Sequence, residues 1–403
     1  MELLSPAGNI EKLKAAYRYG ADAAYVGLSS FSLRAKADNF PPEQAGEVAR
    51  IKGGKKLYCA MNIYFHPGDL KRLQTQLEQI SRFPFDAFIV SDPGVIGILR
   101  KAFPHTQLHL STQANCINAE TVKFYRDAGF SRIILGRELS LAEIADIKKE
   151  VPDVELEAFV HGAMCLAYSG RCFLSAWMAG RSGNQGMCAH SCRWEYRLLE
   201  ERERPGEYLP VYEGDGFTSI LSSKDICMID HLEELRSAGV DAVKIEGRMK
   251  SVYYTALVTR AYRKFLDDPE ADPAYRDELF RLSRREYTTG FYFGREEIEE
   301  PTSRSYLREG LFLATVGPDR GNGLFRLETH NRFSREETIE FIGPDVPFLT
   351  DTAFELFDED GAPVSETVHQ KGGYIKPSVP VEEGYLIRKR GQPSISSTAS
   401  EKT

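Results

Sequence analysis

Eight short runs of apolar and β-branched residues, spaced by amphipathic helical stretches, constrain this chain more than any other feature. The runs are Leu3–Ser5, Ala23–Val26, Lys56–Met61, Ala87–Val90, Gln107–Ser111, Arg132–Leu135, Leu156–Val160 and Ala242–Ile245. Between them lie patterns such as NIEKLKAAYRYG, DLKRLQTQLEQISRF, NAETVKFYRDAG, SLAEIADIKKEVP and HLEELRSAG, with apolar residues at helical spacing. Asn9 and Ser140 fit N-caps, and Gly20, Gly129 and Gly239 fit the left-handed position that follows a helix. No strands follow one another directly before residue 190, which is the pattern of a parallel sheet with crossover helices. A count of eight favours a closed barrel over an open doubly wound sheet, so the expected class is α/β with a (β/α)8 TIM-barrel-like domain.

In such a barrel the chemistry belongs at the C-terminal ends of the strands. Polar residues gather there: Asn62, Ser91 and Asp92, then Thr112, Gln113 and Asn115, Arg137 and Glu138, His161, and finally Glu246 and Arg248. The loop after the seventh strand, 161–227, is unusually long and opens on this face, and insertions of that length are more often functional than passive. Within it, Arg193–Leu199 and Tyr208–Val211 have the pattern of a polar hairpin. The barrel domain is expected over 1–262, followed by a helical linker at 263–304. Short alternating runs with Gly, Asn and Asp turns then predict a small all-β barrel module at 305–391, and 392–403 reads as a disordered tail.

Four of the seven cysteines (Cys165, Cys172, Cys188 and Cys192) fall within Glu157–Arg193, and Cys227 follows in LSSKDIC. Core packing scatters cysteines, so this clustering points to metal binding. No apolar run approaches the roughly 20 residues that span a bilayer, and the N-terminus lacks the basic and apolar regions of a signal peptide. A cytoplasmic location is expected, where clustered thiols stay reduced and more often bind metal than form disulfides. Spacing alone leaves structural zinc, for which CAHSC would be half a knuckle, and an iron–sulfur cluster both open. Cys59 and Cys116 read as core or wall residues.

The net charge of −8 and pI near 5.7 give no global attraction to nucleic acid, so an RNA substrate needs a local basic patch. Arg34, Lys36, Arg137, Arg171, Arg181, Lys224, Lys244 and Arg248 all fall near the expected face and favour an anionic substrate. His161, at a strand end, fits either a site or a packed histidine, and so does His109 within the fifth strand. The glycines of AGRSGNQG lack the lysine–serine ending of a phosphate loop and read as turns. No HExxH and no GxSxG is present.

The stretch EAFVHGAMCLAYSGRCFLS resembles the signature of the U32 family, long labelled collagenase-like peptidases. Glu157, Phe159, Gly162, Ala163, Cys165, Gly170, Cys172 and Ser175 match it. The likeness extends to ELLSPAGNIEKLKAAYRYGADAAYVG, NQGMCAHSCRWEY, SSKDICMIDHL, VDAVKIEGRMKS and the terminal β module, and so covers nearly the whole chain. It implies a [4Fe–4S] cluster on Cys165, Cys172, Cys188 and Cys227, with Cys192 to spare, and oxygen-independent hydroxylation. Family targets include a wobble uridine of tRNA, a cytidine of ribosomal RNA and ubiquinone precursors, and the RNA branches draw the hydroxyl group from prephenate. Length and the added module look most like the tRNA-hydroxylating branch.

The expectation is therefore an iron–sulfur enzyme that acts on the tRNA anticodon region with prephenate as a small anionic co-substrate. Arg137, Lys244 and Arg248 are its expected substrate-binding residues, and His161 and Glu246 its expected proton-transfer groups, chosen by position. The rivals are the peptidase that the family name promises and a zinc-held RNA-binding scaffold.

Overall fold

The structure, a computed structural model, describes residues 1–28, 30–33, 39–165, 169–172, 174–183, 187–189, 191, 212–214, 217–219, 224–294, 310–367 and 372–390. Two compact units divide the chain: Met1–Pro269 with Arg285–Ser305, and Glu270–Arg284 with Tyr306–Thr403.

The first unit is built on strands β1 (Glu2–Pro6), β2 (Ala23–Gly27), β3 (Lys56–Met61), β4 (Ala87–Val90), β5 (Gln107–Leu110), β6 (Arg132–Ile134) and β7 (Glu155–Ala163). Each is parallel to the next. A hairpin, β8 (Tyr212–Gly214) and β9 (Phe217–Ser219), and a short strand β10 (Asp225–Cys227) precede β11 (Ala242–Ile245). β11 pairs in parallel with both β1 and β7, which closes an eight-stranded barrel. The strands are buried on both faces, as crossover helices require. These are α1 (Ile10–Arg18), α2 (Ala45–Lys52), α3 (Pro67–Ile80), α4 (Ile96–Ala102), α5 (Ala119–Asp127), α6 (Leu141–Glu150), α7 (Leu174–Ala179), α8 (Leu232–Ser237) and α9 (Val252–Asp267).

Local chemistry sets the helix ends. The Asn9 side chain accepts from Lys12 N–H at 3.0 Å, and Ser140 with Glu143 forms a reciprocal capping box on α6. Gly20, at φ +105°, turns the chain out of α1 and lets Ala21 N–H close on the Ala16 carbonyl at 3.0 Å.

The N-terminal end of the barrel is filled by charge. Arg132 reaches Glu2 at 2.6 Å, Glu155 at 2.8 Å and Glu157 at 3.2 Å, and Tyr58 donates to Glu2 at 2.9 Å. His109 packs edge-on against Tyr58, and burial holds its imidazole pKa well below the ordinary value. Above this layer Leu4, Tyr25, Ile89, Ile134 and Phe159 form an apolar band.

Strand seven differs from its expected form. It runs on to Ala163, and its register against β11 slips: Lys244 faces Phe159, but Ile245 faces His161. A β-bulge at Val160 thus breaks the inward–outward alternation just before the site. Beyond it β10 pairs antiparallel with β7, Cys227 opposite His161, and β12 (Tyr287–Thr288) follows β10 in parallel. The expected hairpin at Arg193–Leu199 and Tyr208–Val211 lies outside the described residues.

The 263–304 linker is also corrected. α9 continues through its expected start, helix α10 (Pro273–Arg281) joins the second unit, and the chain from Arg285 returns to the barrel unit. In the second unit β13 (Gly310–Asp319), β14 (Phe325–Thr329), β15 (Ile339–Ile342), β16 (Leu349–Asp351), β17 (Glu355–Phe357), β18 (Pro363–Val364), β19 (Gly373–Lys376) and β20 (Leu386–Arg390) form one antiparallel sheet. It wraps a core that includes Leu313, Phe333, Phe341 and Ile387. Among the described residues no pairing joins β18 to β16, so the all-β module is a half-barrel. α10 belongs with it because buried Glu278 pairs with buried Arg388, whose Nε also donates to Glu340 at 2.6 Å.

Candidate active site at the barrel mouth

A cavity of about 350 Å³ opens at the C-terminal ends of the barrel strands. Tyr25, Asn62, Ser111, Arg137, Phe159, Lys244, Glu246 and Arg248 form its barrel side, and Cys165, Cys172, Cys188 and Ser175 its outer side. Three described cysteines of the long loop therefore lie at the barrel mouth.

The three expected substrate-binding cations all line the cavity, in three different states. Arg137 leaves the end of β6, and its guanidinium stacks on the Phe159 ring, 3.9 Å from the centroid. No acidic side chain pairs with it among the described residues, and its buried Nε has no hydrogen-bond partner there. Arg248 is 2 % exposed and anchored: its Nη2 donates to Ser32 Oγ at 2.6 Å and to Asn39 Oδ1 at 3.2 Å. Gly27 makes room for it, since a Cβ there would stand 2.4 Å from Nη1. Lys244, 3 % exposed, donates to Glu157 at 2.8 Å. Burial lowers its pKa, against the opposing pull of Glu157.

The two expected proton-transfer groups separate. Glu246 is half-buried on the cavity wall, and the Tyr25 hydroxyl, which donates to the Ile245 carbonyl at 2.9 Å, also stands 3.4 Å from its carboxylate. His161 is not on the wall. The bulge turns its ring into a layer of tyrosines, with Tyr287 Oη 3.3 Å from Nε2 and Tyr262 Oη 3.4 Å from Nδ1, and only 1 % of it is exposed. Asp92 and Glu138 also leave the cavity: they accept backbone N–H groups of Phe65 and Ser169 and so fix the loops. Arg34 and Lys36 lie outside the described residues.

Cys165, Cys172, Cys188 and Cys227 are not joined in disulfides. The first three line the cavity, and Gly183 packs beside Cys188. Cys227 is not among the lining residues; on β10 it stands near Tyr262, whose hydroxyl is 4.0 Å from its sulfur. Among the described residues no three Cys, His, Asp or Glu side chains stand close enough to hold a metal ion. The soft donor set suits an iron–sulfur cluster, but the described residues do not form a ready cage, and Cys192 lies outside them. Cys59 and Cys116 are buried, which pushes each thiol up to about 12.

Sequence reading does not single out Tyr25, and it names Phe159 only as part of the family signature, not as a cavity residue. Their signal was present: each shares inward parity with a neighbour two residues earlier, Ala23 and Glu157.

The sequence matches the model of Peptidase family U32 over residues 8–302 and that of the Peptidase family U32 C-terminal domain over 308–388. The chain belongs to peptidase family U32. Among U32 relatives, "tRNA hydroxylation protein P" of Escherichia coli (strain K12) is 38% identical over 392 residues, 85% of this chain and 86% of that protein. The "23S rRNA 5-hydroxycytidine C2501 synthase" of the same organism is 37% identical over 268 residues, 66% of this chain and 39% of that protein. A protein named "Collagenase" from Porphyromonas gingivalis is 30% identical over 323 residues, 75% of this chain and 76% of that protein.

Proposed function

We propose that this U32 member hydroxylates the wobble uridine of tRNA to 5-hydroxyuridine without molecular oxygen. Prephenate would be the source of the hydroxyl group, and Cys165, Cys172, Cys188 and Cys227 would hold a [4Fe–4S] cluster. The observation that carries this reading is one small cavity that combines three cysteines outside disulfides with a guanidinium lacking an acidic partner among the described residues. The names of the two E. coli relatives support RNA hydroxylation as the reaction class.

A volume of about 350 Å³ suits a small organic acid or a single nucleobase and excludes folded RNA, so only an extruded base would enter. Arg137 would take a carboxylate through two parallel hydrogen bonds, with Phe159 holding the guanidinium plane. Glu246, beside the Tyr25 hydroxyl, is the carboxylate placed to move a proton at the cavity wall. When bound, the cluster would supply one-electron chemistry beside this cavity.

The test is nucleoside analysis of tRNA from cells whose only copy carries Cys165→Ser. Loss of 5-hydroxyuridine is expected, together with loss of iron and sulfide from anaerobically purified protein; undiminished 5-hydroxyuridine would overturn the reading. The peptidase alternative has the family name and the P. gingivalis relative in its favour. Among the described residues no histidine lines the cavity to activate a nucleophile. Gelatin cleavage by homogeneous protein, abolished by one cavity substitution, would reinstate it.

A further inference from the structure

We infer that Lys244 is a carbonyl-reactive amine and that the cavity takes a 2-oxo carboxylic acid as an imine on its side chain. The inference rests on reading the cavity as a small-acid site, and it deepens that reading by naming the functional group that sits opposite the carboxylate.

Three observations converge on it. First, Lys244 is buried yet lines the cavity, so its amine is shielded from bulk water and still open to a ligand. Burial disfavours its charged form, while the Tyr25 and Phe159 rings, with centroids 4.5 Å and 5.5 Å from Nζ, and Glu157 oppose that shift and hold the side chain in place. Second, a proton acceptor is in place, because Glu157 Oε1 is 2.8 Å from Nζ while its other oxygen faces Arg132 at 3.2 Å. Third, Phe159 is a shared platform: Arg137 lies against the same ring at 3.9 Å. A ligand held by its carboxylate on Arg137 and reaching Lys244 needs its electrophilic carbon close to that carboxylate. A 2-oxo acid meets the requirement, and the pyruvyl side chain of prephenate is one.

The step balances without a redox partner. The Lys244 ammonium gives a proton to Glu157, and the free Nζ pair forms a bond to the carbonyl carbon. The carbonyl π pair moves to oxygen, which takes a proton from the new ammonium nitrogen. Glu157 then returns its proton to the carbinolamine hydroxyl, which leaves as water while the nitrogen pair forms the C=N bond, so one amine and one ketone give one imine and one water. The protonated imine draws electrons from bonds at the neighbouring carbon, the activation that lysine imines provide.

The experiment treats the full-length protein with pyruvate or phenylpyruvate, with and without cyanoborohydride, followed by intact mass and peptide mapping. One reduced adduct on the peptide containing Lys244 is expected. Mapping on unaltered protein requires no variant to fold. In addition, Lys244→Arg should abolish the adduct while calorimetry still detects acid binding, and Arg137→Ala should lower adduct yield at least tenfold at subsaturating acid. Acid binding without an adduct, or an adduct on another lysine, overturns the Lys244 assignment and leaves the small-acid reading intact. Absence of any acid binding overturns both.

Discussion

Arg137 and Arg248 both follow strand ends at the same rim, but their surroundings give them different work. Arg248 is held through its Nη2 by Ser32 and Asn39 and wedged against Gly27, whereas Arg137 rests on a ring with no acidic partner among the described residues. Arg137→Ala should therefore weaken binding of a small carboxylate about tenfold or more, as expected for a hydrogen bond to a charged group, with little change in melting temperature. Arg248→Ala should act mainly on stability, costing about 1–3 kcal/mol, because it removes two buried hydrogen bonds and the packing of a buried side chain. Calorimetric titration and thermal melts on the two variants separate these outcomes. The sequence was enough to bring both arginines to the rim. It could not rank them, since the residues that occupy Arg248 come from a loop more than 200 positions away.

At the level of elements, β7 decides the site. Its bulge sends Phe159 to the cavity and His161 to the tyrosine layer. Gly162 makes the turn possible: its φ is +98°, and a Cβ would stand 2.5 Å from the Glu246 carbonyl oxygen and 2.8 Å from Tyr254 Oη. Gly162→Ala should destabilise the barrel by about 2 kcal/mol or more through strain and collision, visible as a lower urea midpoint. The eight barrel strands could be read from composition because parallel strands buried on both faces are continuous apolar runs. The bulge could not, because it arises from register against β11, and a place at the strand end therefore left His161 open to either a site or a packed role. β10 and β12, three and two residues long, carry too little pattern to be seen before their partner strands are known.

For the whole molecule, ionic contacts fix what local pattern leaves open. The stretch read as a linker looked solvated because of its charges, yet Glu278 is 1 % exposed and answers Arg388, 110 residues later. In the barrel, burial pushes the Glu2 carboxyl up, but Arg132, Lys56 and Tyr58 pull harder and bring it down to about 2 from an ordinary 4.5. A carboxyl lowered by folding adds stability that is complete above pH 4.5 and is lost as pH falls toward 2. Denaturant midpoints measured across that window should fall steeply in the unaltered protein and less steeply in Glu2→Gln. The same cluster has a second effect. With that end of the barrel stoppered by Arg132 and its carboxylates, the described residues leave the chamber its doorway at the opposite rim, framed by thiols. On the proposed reading, traffic must queue: the small acid is admitted first, the nucleic acid closes the door behind it, and the spent acid departs only after the RNA has withdrawn.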